Sequence, residues 1–179
     1  MTMDIKTALH DVQQFKGGVI DTSTLIYLER LGILNRIATL YRLLVVPQVV
    51  QEFDRSLPAQ ILCVESPPGA ADQALCPVAF DHRLAVLSDD KHVLTLARSA
   101  GLVYFNTLML LLLMLYHEQL SVAQCRALLL HLFTFARYGC AVRSFGEQVF
   151  EHILSERKHL ANKKTPLLHY GSRKGNVAE

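Results

Sequence analysis

The sequence predicts an α/β protein with a mainly parallel sheet of about four strands, covered by helices on both faces. Two observations predict it. Short runs of β-branched and apolar residues alternate along the chain with longer segments of helical period. Two of these runs pass straight into acid. Gly17-Gly18-Val19-Ile20 leads to Asp21-Thr22-Ser23, and Leu84-Ala85-Val86-Leu87 leads to Ser88-Asp89-Asp90. A buried parallel strand that stops at a carboxylate leaves that charge at the carboxyl edge of the sheet, where α/β folds bind ligands.

The elements follow in order. Residues 1–16 show little period and read as a short polar helix or loose N-terminal arm. Val19–Asp21 is a strand, and Thr22 or Ser23 can cap the helix that follows to Leu31. Gly32 breaks that helix. Ile33–Tyr41 resumes a helical pattern with Ile33, Leu34, Ile37 and Leu40 on one face. Leu43–Val46 is the second strand. Pro47 suits a first helical turn, so Pro47–Arg55 reads as helix. Pro58, Pro67 and Pro68 make 56–69 a loop, with room for a short strand at Ile61–Val64. A helix from Ala70 to Phe80 contains Pro77, which predicts a kink or early stop. Leu84–Ser88 and Leu102–Phe105 are the last two strands. Between them Lys91–Ala100 forms a helix closed by Gly101. Thr107–Tyr116, Val122–Arg137 and Phe145–Arg157 read as three further helices.

Composition bounds the class. Hydrophobic residues make up 51% of the 179 and mean hydropathy is +0.24, which excludes a disordered chain and fits one domain with a full core. The longest apolar run, Leu108–Tyr116, falls well short of the roughly 20 residues that span a bilayer, so no membrane role is expected. The first residues carry no apolar signal core, and a cytoplasmic location follows. Cys63, Cys76, Cys125 and Cys140 form no CxxC pair, so a zinc site is not expected and free thiols are. Net charge is only +2. The region 158–179 is nevertheless basic and reads as a flexible tail, leaving 17–157 as the domain.

Asp21, Glu52, Asp72 and Asp89 or Asp90 can meet at one sheet edge. Asp21 follows the first strand, Glu52 lies one turn into the helix after the second, Asp72 opens the helix before the third strand, and Asp89-Asp90 ends that strand. Carboxylates brought together repel, and a hard divalent cation such as Mg²⁺ or Mn²⁺ removes the conflict. Such a site suits phosphodiester hydrolysis. Each acid also has a plainer reading. Asp21 and Asp90 are placed to cap helices, Asp72 to face a helix dipole, and Glu52 to sit in solvent. Thr22, Ser23 and Ser88 either hold water or substrate phosphate or act as caps. Lys91 and His92, next to the acids, are the best local phosphate contacts.

Four stretches together resemble PIN-domain proteins: V-I-D-T-S-T-L-I-Y-L (Val19–Leu28), V-P-Q-V-V-Q-E-F (Val46–Phe53), A-D-Q-A-L (Ala71–Leu75) and A-V-L-S-D-D-K-H-V-L-T-L-A-R-S-A-G-L (Ala85–Leu102). The likeness is closest to VapC-like prokaryotic members and covers roughly 17–116. It implies a three-layer α/β/α domain and a Mg²⁺- or Mn²⁺-dependent endoribonuclease. It further implies catalytic acids at Asp21, Glu52, Asp72 and Asp90, with metal held by Asp21, Asp72 and Asp90 or Asp89. Partners would be RNA and an antitoxin or other protein, since many such proteins are toxins of toxin–antitoxin pairs. The leucine-rich helices predict a further interface, a homo-oligomer among the options. The competing reading is an inactive PIN-like module that binds RNA or protein without cutting.

Overall fold

The computed structural model describes residues 4–164, with the side chains of Lys158 and of 160–164 left out. The order of elements begins α1 (Ile5–Gln14), β1 (Gly17–Ile20), α2 (Thr22–Arg30), α3 (Leu34–Leu40), β2 (Arg42–Val45), α4 (Pro47–Phe53) and β3 (Leu62–Cys63). It continues α5 (Ala71–His82), β4 (Ala85–Leu87), α6 (Lys91–Ser99), β5 (Tyr104–Phe105), α7 (Thr107–Tyr116), α8 (Val122–Phe133) and α9 (Cys140–Lys164).

The strands form one parallel sheet in the order β3-β2-β1-β4-β5, flanked by helices as a three-layer α/β/α fold. The chain moves outward from β1 through β2 to β3, then crosses back to lay β4 on the other side of β1. Val19 thus stands between Leu44 and Val86. The order reverses at β1, so the crevice outside the carboxyl ends of β1 and β4 is the topological switch point. Every residue of β1 and of β4 is buried, as expected for strands covered on both faces. Packing there excludes side chains. A Cβ on Gly18 would lie 2.4 Å from Cγ of Leu87, so glycine is what lets β1 pack against Leu87.

The second focus of the core is α7. Nine of its ten residues, Thr107 to Leu115, are buried, and β5, α2, α1, α8 and α9 all pack on it. That explains an apolar run too short to span a bilayer. Among the described residues no helix is long and apolar enough to cross a membrane.

The sequence expectations need four corrections. The sheet has five strands rather than about four, the short strand allowed for within Ile61–Val64 being present as Leu62–Cys63 at the edge beside β2. The N-terminal segment is part of the domain. Asp4 caps α1 by accepting the Thr7 N–H at 2.9 Å, and Ala8, Leu9 and Val12 are buried. A polar-looking stretch hides this apolar stripe because the stripe is only three residues. Third, α5 does not stop at Pro77 but runs on to His82. Fourth, α9 starts at Cys140 and continues to Lys164. The basic tail predicted for 158–179 therefore begins within a helix, and its part from 165 to 179 lies outside the described residues. Gly101 does close α6 as expected, with φ +69°.

Candidate active site

Asp21, Thr22, Ser23, Glu52, Asp72, Asp90 and His92 line one open cleft of about 320 Å³. It lies at the switch point, with each acid supplied by a different element. Asp21 follows β1, Glu52 is in α4, Asp72 is in the first turn of α5, and Asp90 precedes α6.

Asp21 and Asp90 look alike in sequence but behave differently. Asp90 caps α6: its Oδ1 accepts the N–H groups of His92 at 2.6 Å and Val93 at 3.3 Å. Asp21 holds the N-cap position of α2 and makes no side-chain cap bond. Instead its Oδ2 accepts the hydroxyls of Ser23 at 2.7 Å and Ser88 at 2.8 Å. Those hydroxyls are themselves oriented. Ser23 Oγ accepts the Asp89 N–H and Ser88 Oγ accepts the Asp90 N–H, each at 3.0 Å. Each serine thus gives its one proton to Asp21 and takes a backbone N–H on one of its two lone pairs. Two backbone donors thus aim two hydroxyls at one buried carboxylate. Ser23 and Ser88, read from sequence either as holding water or substrate phosphate or as caps, both hydrogen-bond Asp21; Ser23 also lines the cleft, whereas Ser88 is fully buried.

Of the remaining acids, Glu52 is hydrogen-bonded at one oxygen and Asp72 has a longer contact at one. Glu52 Oε2 accepts the Thr22 hydroxyl at 2.7 Å. Asp72 Oδ2 lies 3.6 Å from His92 Nε2. Among the described residues, no hydrogen bond or ion pair reaches Asp21 Oδ1, Glu52 Oε1, Asp72 Oδ1 or Asp90 Oδ2. Lys91 is exposed and stands next to the cleft rather than lining it.

Asp89 is a correction. One of the two alternatives for the last acid, it turns away from the cleft and into the core. Its carboxylate accepts the Thr24 hydroxyl at 2.9 Å and the Thr107 N–H at 3.1 Å. The hydroxyls of Thr107 and Tyr138 complete the set. Burial raises its pKa, and these hydrogen bonds oppose the rise in part. Tyr138 is pushed up as well, first by burial and then by the Asp89 charge. Asp89 therefore ties the end of β4 to α2, α7 and the loop after α8. Nothing local in the sequence pairs residue 89 with residue 138, so this knot could not be read beforehand. Successive residues leaving a strand point to opposite sides, and that alternation sends Asp90 to the cleft and Asp89 inward.

Among the described residues no three His, Cys, Asp or Glu side chains converge as a ready-made ligand group. The acids ring the cleft without closing into a cage. Their chemistry still suits one class of ion. All four are hard oxygen donors, which favour Mg²⁺ and Mn²⁺ over softer metals. Mg²⁺ keeps several waters and is commonly held by one or two carboxylates, so an open ring with free oxygens fits a largely hydrated ion. No protein-family model matches this chain, and no curated protein matches it.

Proposed function

We propose that this protein is a divalent-metal-dependent endoribonuclease that hydrolyses RNA phosphodiester bonds in the cleft between β1 and β4. The observation that carries the reading is that acids from four separate elements line one open cleft at the switch point, each with one carboxylate oxygen uncommitted. The PIN-like motifs support it from the sequence side, since each of the four matched acids lines this cleft.

Asp21, Asp72 and Asp90 are the residues that would hold the ion. Bound there, Mg²⁺ or Mn²⁺ supplies Lewis acidity at a phosphoryl oxygen and makes a water more acidic. Asp21 is the rigid member, held by two serines at its buried oxygen. Glu52 is exposed and steadied by Thr22, so its free oxygen is the one placed to orient an attacking water. His92 and Lys91, at the start of α6, are the groups that would meet the RNA backbone. The same resemblance extends the proposal to a toxin restrained by an antitoxin.

A second reading rests on the dispersed acids: a PIN-like module that binds RNA without cutting it. One assay separates the two. Structured RNA is incubated with wild type and Asp21→Asn, in Mn²⁺, in Mg²⁺ and in chelator. Cleavage by wild type that needs metal and vanishes in Asp21→Asn is the expected result. Retention of intact RNA by both proteins favours the binding module. Equal cleavage by both overturns the site assignment.

A further inference from the structure

We infer that Tyr138 and Asp89, neither of which lines the acidic cleft, are positioning residues for it and raise its affinity for a divalent cation. The inference rests on the reading of that cleft as a metal site. Asp89 grips the start of α2 twice. Its N–H donates to Ser23 Oγ at 3.0 Å, and its Oδ2 accepts the hydroxyl of the next residue, Thr24, at 2.9 Å. Ser23 in turn donates to Oδ2 of Asp21 at 2.7 Å. The residue after Asp89 is Asp90, which faces the cleft from the head of α6. Asp89 therefore sets how the start of α2, next to Asp21, lies against the turn that carries Asp90.

Asp89 can do this only while its carboxylate is held from the core side. Thr107 anchors it to α7 through an N–H 3.1 Å from Oδ1 and through its hydroxyl on Oδ2. Tyr138, from the segment between α8 and α9, donates its hydroxyl to Oδ1. The ring of Tyr138 is itself seated edge-on to Phe133 of α8, with centroids 6.4 Å apart, within the range of favourable aromatic pairs. A hydrogen bond to a charged acceptor is among the stronger ones. Without it Oδ1 keeps only the Thr107 N–H, and the turn loosens. The N–H that aims Ser23 at Asp21 loosens with it. Groups one step behind metal-ligating side chains tune affinity in this way, by fixing the ligand's orientation. Replacing Tyr138 by phenylalanine deletes one donor and strands no buried N–H. The carboxylate keeps the Thr24 hydroxyl and both Thr107 donors, so the fold is expected to survive.

Calorimetric titration of the full chain with MnCl₂ tests it, beside urea denaturation of each metal-free protein. Tyr138→Phe is expected to bind Mn²⁺ about tenfold more weakly than wild type, the lower end of what groups behind a ligand contribute. Thr24→Val removes another donor to the same carboxylate and should also weaken binding. Thr24→Ser keeps the hydroxyl and should bind as wild type. This pair takes the place of Tyr138→Phe if that variant does not fold. Asp4→Ala is the control for stability alone. It removes the cap of α1, so it should lower the urea midpoint with no change in Mn²⁺ affinity. A folded Tyr138→Phe that binds like wild type overturns the inference and leaves the metal site standing. So does weakening that Asp4→Ala matches, since any loss of stability would then produce it, or a Thr24→Ser no better than Thr24→Val. A wild type that takes up no Mn²⁺ overturns the metal reading of the cleft, and this inference with it.

Discussion

Asp89 and Asp90 are neighbours with opposite tasks. Asp90 faces water, caps a helix and offers an oxygen to the cleft. Asp89 is enclosed by Thr24, Thr107 and Tyr138, and burial raises its pKa above the ordinary 3.8. The sign of the consequence is fixed. The folded state holds this proton more tightly than the unfolded chain, so the resulting stability is complete below the unfolded value and is lost as pH rises through the folded one. Asp89→Asn is neutral at every pH. The stability of wild type relative to Asp89→Asn should therefore fall as pH rises from about 4 toward neutrality. Urea denaturation of both proteins across that range measures it, and a difference that grows with pH would contradict the assignment. This residue also marks how far the sequence can be read. Four acids of the cleft were legible, because each follows a strand end or opens a helix beside one. Which of two adjacent aspartates turned inward was not, since the deciding partner lies 49 residues away at Tyr138.

Among the elements, strands and helices with strong periodicity or firm punctuation were legible. Thr107–Tyr116 matches the expected bounds, and Pro47 and Gly101 mark a helix start and a helix end as read. The misses share a physical cause, which is that tertiary packing overrides a weak local signal. Three buried residues hold α1 in the domain. Pro77 is the clearest case. A proline has no N–H to give the carbonyl four residues back and crowds it, yet α5 stays helical on both sides, with Ala74, Leu75, Val78 and Ala79 buried. Burial of that stripe outweighs the local cost. Pro77 itself is exposed, so replacing it removes little packing. Pro77→Ala should raise stability by about 1–3 kcal/mol, reduced somewhat because proline also restrains the unfolded chain. A shift in the urea midpoint at unchanged slope measures this. The proposed RNA cleavage should not change, since Asp72 lies in the first turn of α5, ahead of the proline.

At the scale of the whole molecule, the cleft is lined by the ends of elements that also pack on one another, α2 on α4, α4 on α5 and α5 on α6. Asp21 ends β1, Asp90 begins α6, Asp72 begins α5 and Glu52 belongs to α4. An ion held among them bridges segments up to 69 residues apart in sequence, and it can do so only while the chain is folded. Binding then adds directly to stability. A ligand specific to the folded state contributes about 2.7 kcal/mol when present at a hundred times its dissociation constant. Wild type should therefore melt at progressively higher temperature as Mn²⁺ or Mg²⁺ is titrated in, and chelator should reverse the shift. Asp21→Asn keeps an acceptor for Ser23 and Ser88, so it should fold like wild type, yet its melting temperature should not respond to metal. NaCl at matched ionic strength serves as a control for mere screening of negative charge, because a general effect would act on variant and wild type alike. A wild type whose melting curve ignores Mn²⁺ and Mg²⁺ would show that the acids do not act together on an ion. The proposed hydrolysis would then lose its chemical basis, with the α/β/α fold left standing.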